Sequence, residues 1–122
     1  MSITEEKKKV VLVESWSMMR TFMSECIGRA DGYVIDMILP DAYSAYEFIR
    51  NNNIALLMMD LPANNEDEVL DIVKDIKKNS PLTRIIVTTL TSSAKLAEKV
   101  KASGADGLWQ KEISETSLLK MI

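Results

Sequence analysis

The segment Ile54–Asp60, I-A-L-L-M-M-D, sets six apolar residues in a row and ends them on one carboxylate, with Leu61-Pro62 following at once. An unbroken apolar run of this length fits a strand buried on both faces, as in a parallel sheet covered by helices. Open sheets of that kind bind ligands at the carboxyl ends of their strands. The run therefore predicts a central strand and marks Asp60 as the first candidate for chemistry.

Four other segments read as strands. Val10–Val13 (V-V-L-V) ends in Glu14-Ser15, and Arg84–Thr89 (R-I-I-V-T-T) is equally apolar at its centre. Tyr33–Ile38 (Y-V-I-D-M-I) carries Asp36 in its middle, and the short Gly107–Gln110 (G-L-W-Q) ends at Lys111. Helical spacing fills the gaps. Met18, Met19, Phe22, Met23, Cys26 and Ile27 recur every three to four residues, which makes Cys26 buried filler rather than a reactive thiol. Asp41 is a candidate N-cap for a helix with Ala42, Ala45, Tyr46 and Ile49 on its apolar stripe, stopped by Asn51-Asn52-Asn53. Asn64-Asn65 precede three acids, Glu66-Asp67-Glu68, a first turn that the helix dipole favours, and Val69, Ile72, Val73 and Ile76 continue it. Ser92 or Ser93 caps a helix through Leu96, Ala97 and Val100, closed by Ser103-Gly104. Ser114 caps a last one whose Leu118, Leu119 and Ile122 reach the final residue without a stop signal, so the chain is expected to be the N-terminal part of a longer protein.

Strand and helix thus alternate five times, which predicts an α/β, doubly wound, five-stranded parallel sheet with right-handed crossovers. Strands interrupted by polar residues belong at the edges. Asp36 and Gln110 mark the second and fifth, which gives the flavodoxin-like order 2-1-3-4-5 and a switch point between the first and third. Glu14 and Asp60 then face each other there.

Composition narrows the function. One domain over 1–122 is expected, with 1–8 a flexible lead-in. Eighteen acids against fifteen bases leave a net charge of −3, so the domain attracts neither nucleic acid nor an anionic membrane, and Lys7-Lys8-Lys9 reads as a solvated approach to a strand. The absence of histidine removes His-based triads and His–metal sites. A single cysteine and no membrane-length apolar run point to a cytoplasmic domain.

The predicted strand ends bring together Glu14-Ser15, Asp60, Thr88-Thr89 and Gln110-Lys111. Each has an ordinary reading as well: a solvated acid, a helix cap at Ser15, a β-branched strand residue, a surface lysine. Their convergence has a chemistry of its own. An acidic pair holds a hard divalent cation such as Mg²⁺ through oxygen ligands. An Asp carboxylate attacks a phosphoryl group once positive charge offsets the repulsion, and a hydroxyl and an ammonium grip the phosphoryl oxygens.

From Lys9 to Ile122 the chain resembles a response-regulator receiver domain. That family carries an acidic pair after strand one, a phosphoacceptor Asp after strand three, Ser/Thr after strand four and Lys after strand five. Asp60, Thr89 and Lys111 match the last three, and the spacing from Thr89 through Ser103-Gly104-Ala105-Asp106-Gly107 to Lys111 fits as well. The ending Gly107–Ser114 with Leu118-Leu119 is similar to the subfamily with a helix-turn-helix output domain, the nitrate and nitrogen-fixation regulators. The resemblance implies phosphoryl transfer from a sensor histidine kinase or phosphotransfer protein to Asp60, with Thr89 and Lys111 as partners. It also implies Mg²⁺ held by Glu14, Asp60 and the Pro62 backbone carbonyl, with Ser15 beside them. An output domain beyond Ile122 and a homodimer are further implications.

The chain departs from the pattern at this same edge. Ser15 puts a hydroxyl where the family has a second acid, so Mg²⁺ is expected to bind more weakly. Asn64 and Glu68 replace a customary Pro and Gly, the loop has one extra residue, and Leu108 takes the place of the switch aromatic. Three other functions compete. A phosphorylation-independent docking domain needs none of the site chemistry. A flavin or nucleotide binder lacks both phosphate-loop motifs, G-x-G-x-x-G and G-x-x-x-x-G-K-[ST]. A metal hydrolase lacks a general base beyond the two carboxylates.

Overall fold

The apolar runs form five strands, and a computed structural model describes them within residues 6–122. They are β1 (Lys8–Val13), β2 (Tyr33–Leu39), β3 (Leu56–Asp60), β4 (Arg84–Thr89) and β5 (Gly107–Gln110). The helices are α1 (Ser17–Arg29), α2 (Ala42–Arg50), α3 (Glu66–Asn79), α4 (Ala94–Ala102) and α5 (Glu115–Met121). All strand pairings are parallel, in the order β2-β1-β3-β4-β5, as the edge argument requires. Most of the expected lead-in, residues 1–5, lies outside the described residues, and Lys8 already belongs to β1.

Successive strand residues point to opposite faces, so a sheet covered twice needs apolar side chains at every position. Val11, Val13, Leu57, Met59, Ile85 and Val87 pack with Ala45, Ile49, Val73, Ile76 and Val100 on one face. Val10, Leu12, Leu56, Met58, Ile86 and Trp109 meet Met19, Met23, Ile27 and Leu118 on the other. The strand expected from Ile54 begins at Leu56. Ile54 is buried ahead of it, and Ala55 already bonds to both neighbouring strands, accepting from Arg84 N–H and donating to Lys9.

Asp36 is accommodated by a bulge. Val10 pairs with Ile35 and Val11 with Met37, leaving Asp36 exposed and without a partner position. The extra residue reverses the facing of the strand beyond it. Tyr33 and Ile35 therefore pack toward α1 and α5, whereas Leu39 packs on the opposite core. An acid in mid-strand is tolerated because it falls at the irregularity.

Capping follows the sequence at Asp41, Ser93 and Ser114, whose side chains accept from the N–H groups of Ser44, Leu96 and Ser117. Gly104 adopts φ 90°, the left-handed turn expected after α4. Elsewhere the helices differ from expectation. The N-cap of α1 is Trp16 without a side-chain bond, not Ser15, and Asn65 caps α3 equally without one. Met18 and Ala97 face solvent, because the first sits at the open start of α1 and the second on the outer flank of α4.

Asp106 secures the far end of β4. Its Oδ2 accepts from Ile85 N–H at 2.8 Å and from Lys77 Nζ at 2.9 Å, while Lys77 also donates to the Thr83 carbonyl at 2.9 Å. Burial pushes this carboxyl upward, but the Ile85 N–H and the Lys77 ammonium outweigh it and hold it below the usual carboxylate range. A depressed folded value adds stability above the unfolded carboxyl range, about pH 4, and loses it as pH falls through the folded value. Thermal scans of Asp106→Asn should thus start lower at neutral pH and show a shallower decline below about pH 4 than the parent. Parallel curves for the two proteins would contradict this.

Candidate functional site

At the carboxyl edge of the sheet Glu14 and Lys111, the residues after β1 and β5, meet Asp60, the last residue of β3. Glu14 follows β1 and its side chain has no exposure to solvent. Glu14 Oε2 accepts from Trp16 N–H at 3.1 Å. Lys111 follows β5, held by its own N–H to the Thr89 carbonyl at 2.8 Å. Its Nζ lies 2.7 Å from Glu14 Oε1 and 2.5 Å from Asp60 Oδ1, with the lysine side chain 4% exposed and Asp60 12%. The contact to Glu14 Oε1 is a charge contact, not aligned as a hydrogen bond. Buried carboxylates need such a partner, and one ammonium serves both.

The expected residues do not all converge. Glu14, Asp60 and Lys111 do. Ser15 Oγ faces Asp60 Oδ2 at 3.5 Å, a long contact, so its hydroxyl turns to the acid rather than capping α1. Thr89 is buried at the end of β4, but its hydroxyl donates to the Thr91 carbonyl at 3.1 Å, within its own loop. The Pro62 carbonyl accepts from Asn65 N–H at 3.2 Å, in the turn that leads into α3.

Two features had no sequence signal. Trp16 holds Glu14 through a backbone N–H, a group that nearly every residue type offers. Gln110, read as an edge marker and a strand end with no role of its own, accepts from Ser92 N–H at 3.2 Å and ties the loop after β4 to the end of β5. Trp16, Met18, Leu90 and Ile113, which lie beyond the carboxyl ends of β1, β4 and β5, are exposed apolar side chains.

Two carboxylates and one ammonium leave a pocket charge of −1. Asp60 is the more solvent-accessible acid, and Lys111 stands where it can neutralise charge added to it. Carboxylate, carbonyl and hydroxyl oxygens are the donor type a hard dication takes, so the set fits such an ion in kind. It is one acid short: among the described residues no group of three or more His, Cys, Asp or Glu side chains could hold a metal.

The model of the response regulator receiver domain matches residues 10–122. No significant match was found among curated proteins. Solved structures are similar throughout. A two-component response regulator of the LuxR family from an Aurantimonas species is 23% identical, with TM-score 0.81 and coverage of 94% of this chain and 81% of that one. A CheY-like receiver domain protein from Methanospirillum hungatei is 18% identical, with TM-score 0.81 and coverage of 95% and 90%. A response regulator protein from Burkholderia pseudomallei, solved with a phosphorylated aspartic acid, calcium ion and citrate, is 19% identical, with TM-score 0.77 and coverage of 93% and 65%.

Proposed function

The chain belongs to the response regulator receiver domain family, and on that premise we propose that Asp60 is the residue that takes the phosphoryl group. The observation that carries this is the bridging lysine. Lys111 stands 2.5 Å from an Asp60 carboxylate that still reaches solvent, so the nucleophile and its counter-ion are assembled in advance.

Receiver domains take phosphoryl groups from histidine kinases or phosphotransfer proteins and are acceptors rather than turnover enzymes. Lys111 covers Asp60 Oδ1, so Oδ2, faced by Ser15, is the oxygen that attacks phosphorus. The donor's N–P bond breaks, its imidazole leaves with the bonding electron pair, and an acyl phosphate forms on Asp60. Lys111 then neutralises phosphoryl oxygens. Mg²⁺ is the divalent ion proposed, held weakly by Glu14, Asp60 and the Pro62 carbonyl with Ser15 adding a neutral oxygen. When bound it supplies charge neutralisation of the phosphoryl group.

Thr89 has to give up the Thr91 carbonyl to reach the phosphoryl group, which ties phosphorylation to the loop entering α4. The face formed by α4, β5 and α5 is the proposed readout, a population shift favoured by contacts made in only one state. With Leu108 in place of an aromatic, that shift works by packing rather than through a phenol hydroxyl. The proposed setting is a cytoplasmic transcription regulator with an output domain following residue 122, acting as a homodimer. No helix among the described residues is long and apolar enough to cross a membrane.

The test is incubation with a small phosphodonor and Mg²⁺, read by intact mass. One added phosphoryl mass is expected, absent in Asp60→Asn. An unlabelled parent, alongside a labelled control receiver, would end this reading, as would full labelling of Asp60→Asn.

A further inference from the structure

At the amino edge of the sheet, the end away from Asp60, an open cleft of about 910 Å³ lies between α2, the start of β1 and the loops before β3 and β4. Its volume falls within the range of small-molecule sites. Four bases line it, Lys7, Lys8, Lys9 and Arg50, against one acid, Glu6. Lys8 leans over the Tyr33 ring at 5.8 Å, on the α1 side of the sheet. Strand alternation therefore puts Lys9 on the other side with Val11, facing α2. Lys7 precedes the strand and borders the same cleft. Hydrogen bonds fix the walls: the buried Thr83 hydroxyl donates to the Ile54 carbonyl at 2.8 Å, and Ala55 N–H donates to the Lys9 carbonyl at 2.9 Å. We infer that this cleft binds an oligophosphate, free or carried on a nucleoside, through Lys7, Lys9 and Arg50.

Bases at helix ends usually answer the partial negative charge of the last carbonyls. That accounts for Arg50 but not for two lysines at the start of a strand. Carbonyls at the end of α2 are also met by side-chain amides, Asn51 Nδ2 donating to Glu47 at 3.1 Å and Asn52 Nδ2 to Phe48 at 2.8 Å. Among the described residues Lys7 and Lys9 make no ion pair. Arg50 has only Glu47 at 3.4 Å, with both side chains more than half exposed, and such a pair yields readily to a stronger anion. Uncancelled positive charge grouped on a chain of net charge −3 favours a ligand that brings several negative charges close together. An oligophosphate does so within reach of three long side chains, and the guanidinium fork matches phosphate oxygens. Leu82, 96% exposed on the rim, is where the base of a nucleoside would rest. The fold thus adds Arg50 and the cleft walls to a lysine run that in sequence reads as solvated.

Tripolyphosphate and ATP, titrated into the Mg²⁺-free protein at matched ionic strength and followed by calorimetry and amide chemical shifts, test this. Both should bind, with shifts at Asn53, Ala55 and Thr83 and none at Asp60 or Lys111. Lys7→Gln and Lys9→Gln should each weaken binding about threefold and together about tenfold, whereas Lys8→Gln should leave it unchanged. Tighter binding of ATP, lost in Leu82→Ser, identifies the nucleoside form, and equal binding identifies the free one. A loss in Lys8→Gln equal to that in Lys9→Gln overturns the proposal, because a lysine run rather than the cleft would then be the binder. Binding no tighter than that of orthophosphate overturns it too, as does an acidic peptide of equal charge that binds as well. Failure of Asp60 to take a phosphoryl group leaves these titrations unaffected, so the two readings fail separately.

Discussion

Lys111→Met should lower the unfolding free energy by about 3–5 kcal/mol, with the melting temperature falling by more than about 10 °C. The size comes from Glu14 rather than from the lysine's own packing. With its side chain wholly excluded from water, Glu14 would keep only the Trp16 N–H as a partner. A buried charge stripped of its counter-ion costs far more than the pair contributes when intact. Asp60 is affected less because it can rehydrate. Combining Lys111→Met with Glu14→Gln should recover most of the loss, since the one carboxylate left without a counter-ion, Asp60, reaches solvent; urea midpoints of the parent, both single variants and the double variant measure the coupling. A single-variant loss below about 1 kcal/mol would mean that Glu14 is not held by Lys111. Millimolar Mg²⁺ should stabilise the single variant and leave the double one unchanged.

Trp109→Ala should cost about 3–5 kcal/mol, the range for truncating a large buried aromatic. Trp109 is only 3% exposed, and its indole Nε1–H donates to Ser117 Oγ at 3.0 Å. It thereby fastens α5 to the sheet together with Leu118. A helix spanning only Glu115–Met121 does not persist without tertiary contacts. Amide exchange should accordingly rise throughout α5 in this variant while β1 and β3 stay protected. Trp109→Phe retains most of the apolar contact and gives up the hydrogen bond, with a loss nearer about 1 kcal/mol. If α5 stayed protected in Trp109→Ala, the proposed docking role would be wrong, and with it the expectation that α5 reports on the site.

The layers were legible because burial on two faces leaves little choice of residue. Leu56–Met59 and Val10–Val13 are apolar at every position, and Asp36 and Gln110 mark strands with a free side. The flank of each helix was harder to read. Met18 and Ala97 fit the apolar spacing yet face solvent, because spacing places a residue on a stripe without saying where the sheet beneath it ends. Asp36 marked the edge correctly, but the bulge around it depends on the register with β1, which periodicity in one strand does not contain.

At the site, the sequence alone determined the residue types and the strand ends that carry them, since parallel order and strand length place Glu14, Asp60, Thr89 and Lys111 on one edge. Which atoms meet was decided only by the tertiary structure. Lys111 and Asp60 are 51 positions apart, and a shared ammonium depends on side-chain paths across three strands. The same geometry turned Ser15 toward Asp60 and the Thr89 hydroxyl toward Thr91. Hydrophobic burial scales with area and tolerates small displacements, so pattern suffices to specify it. Ion pairs and hydrogen bonds are made or lost within about an ångström, a distance fixed only when the whole chain is packed.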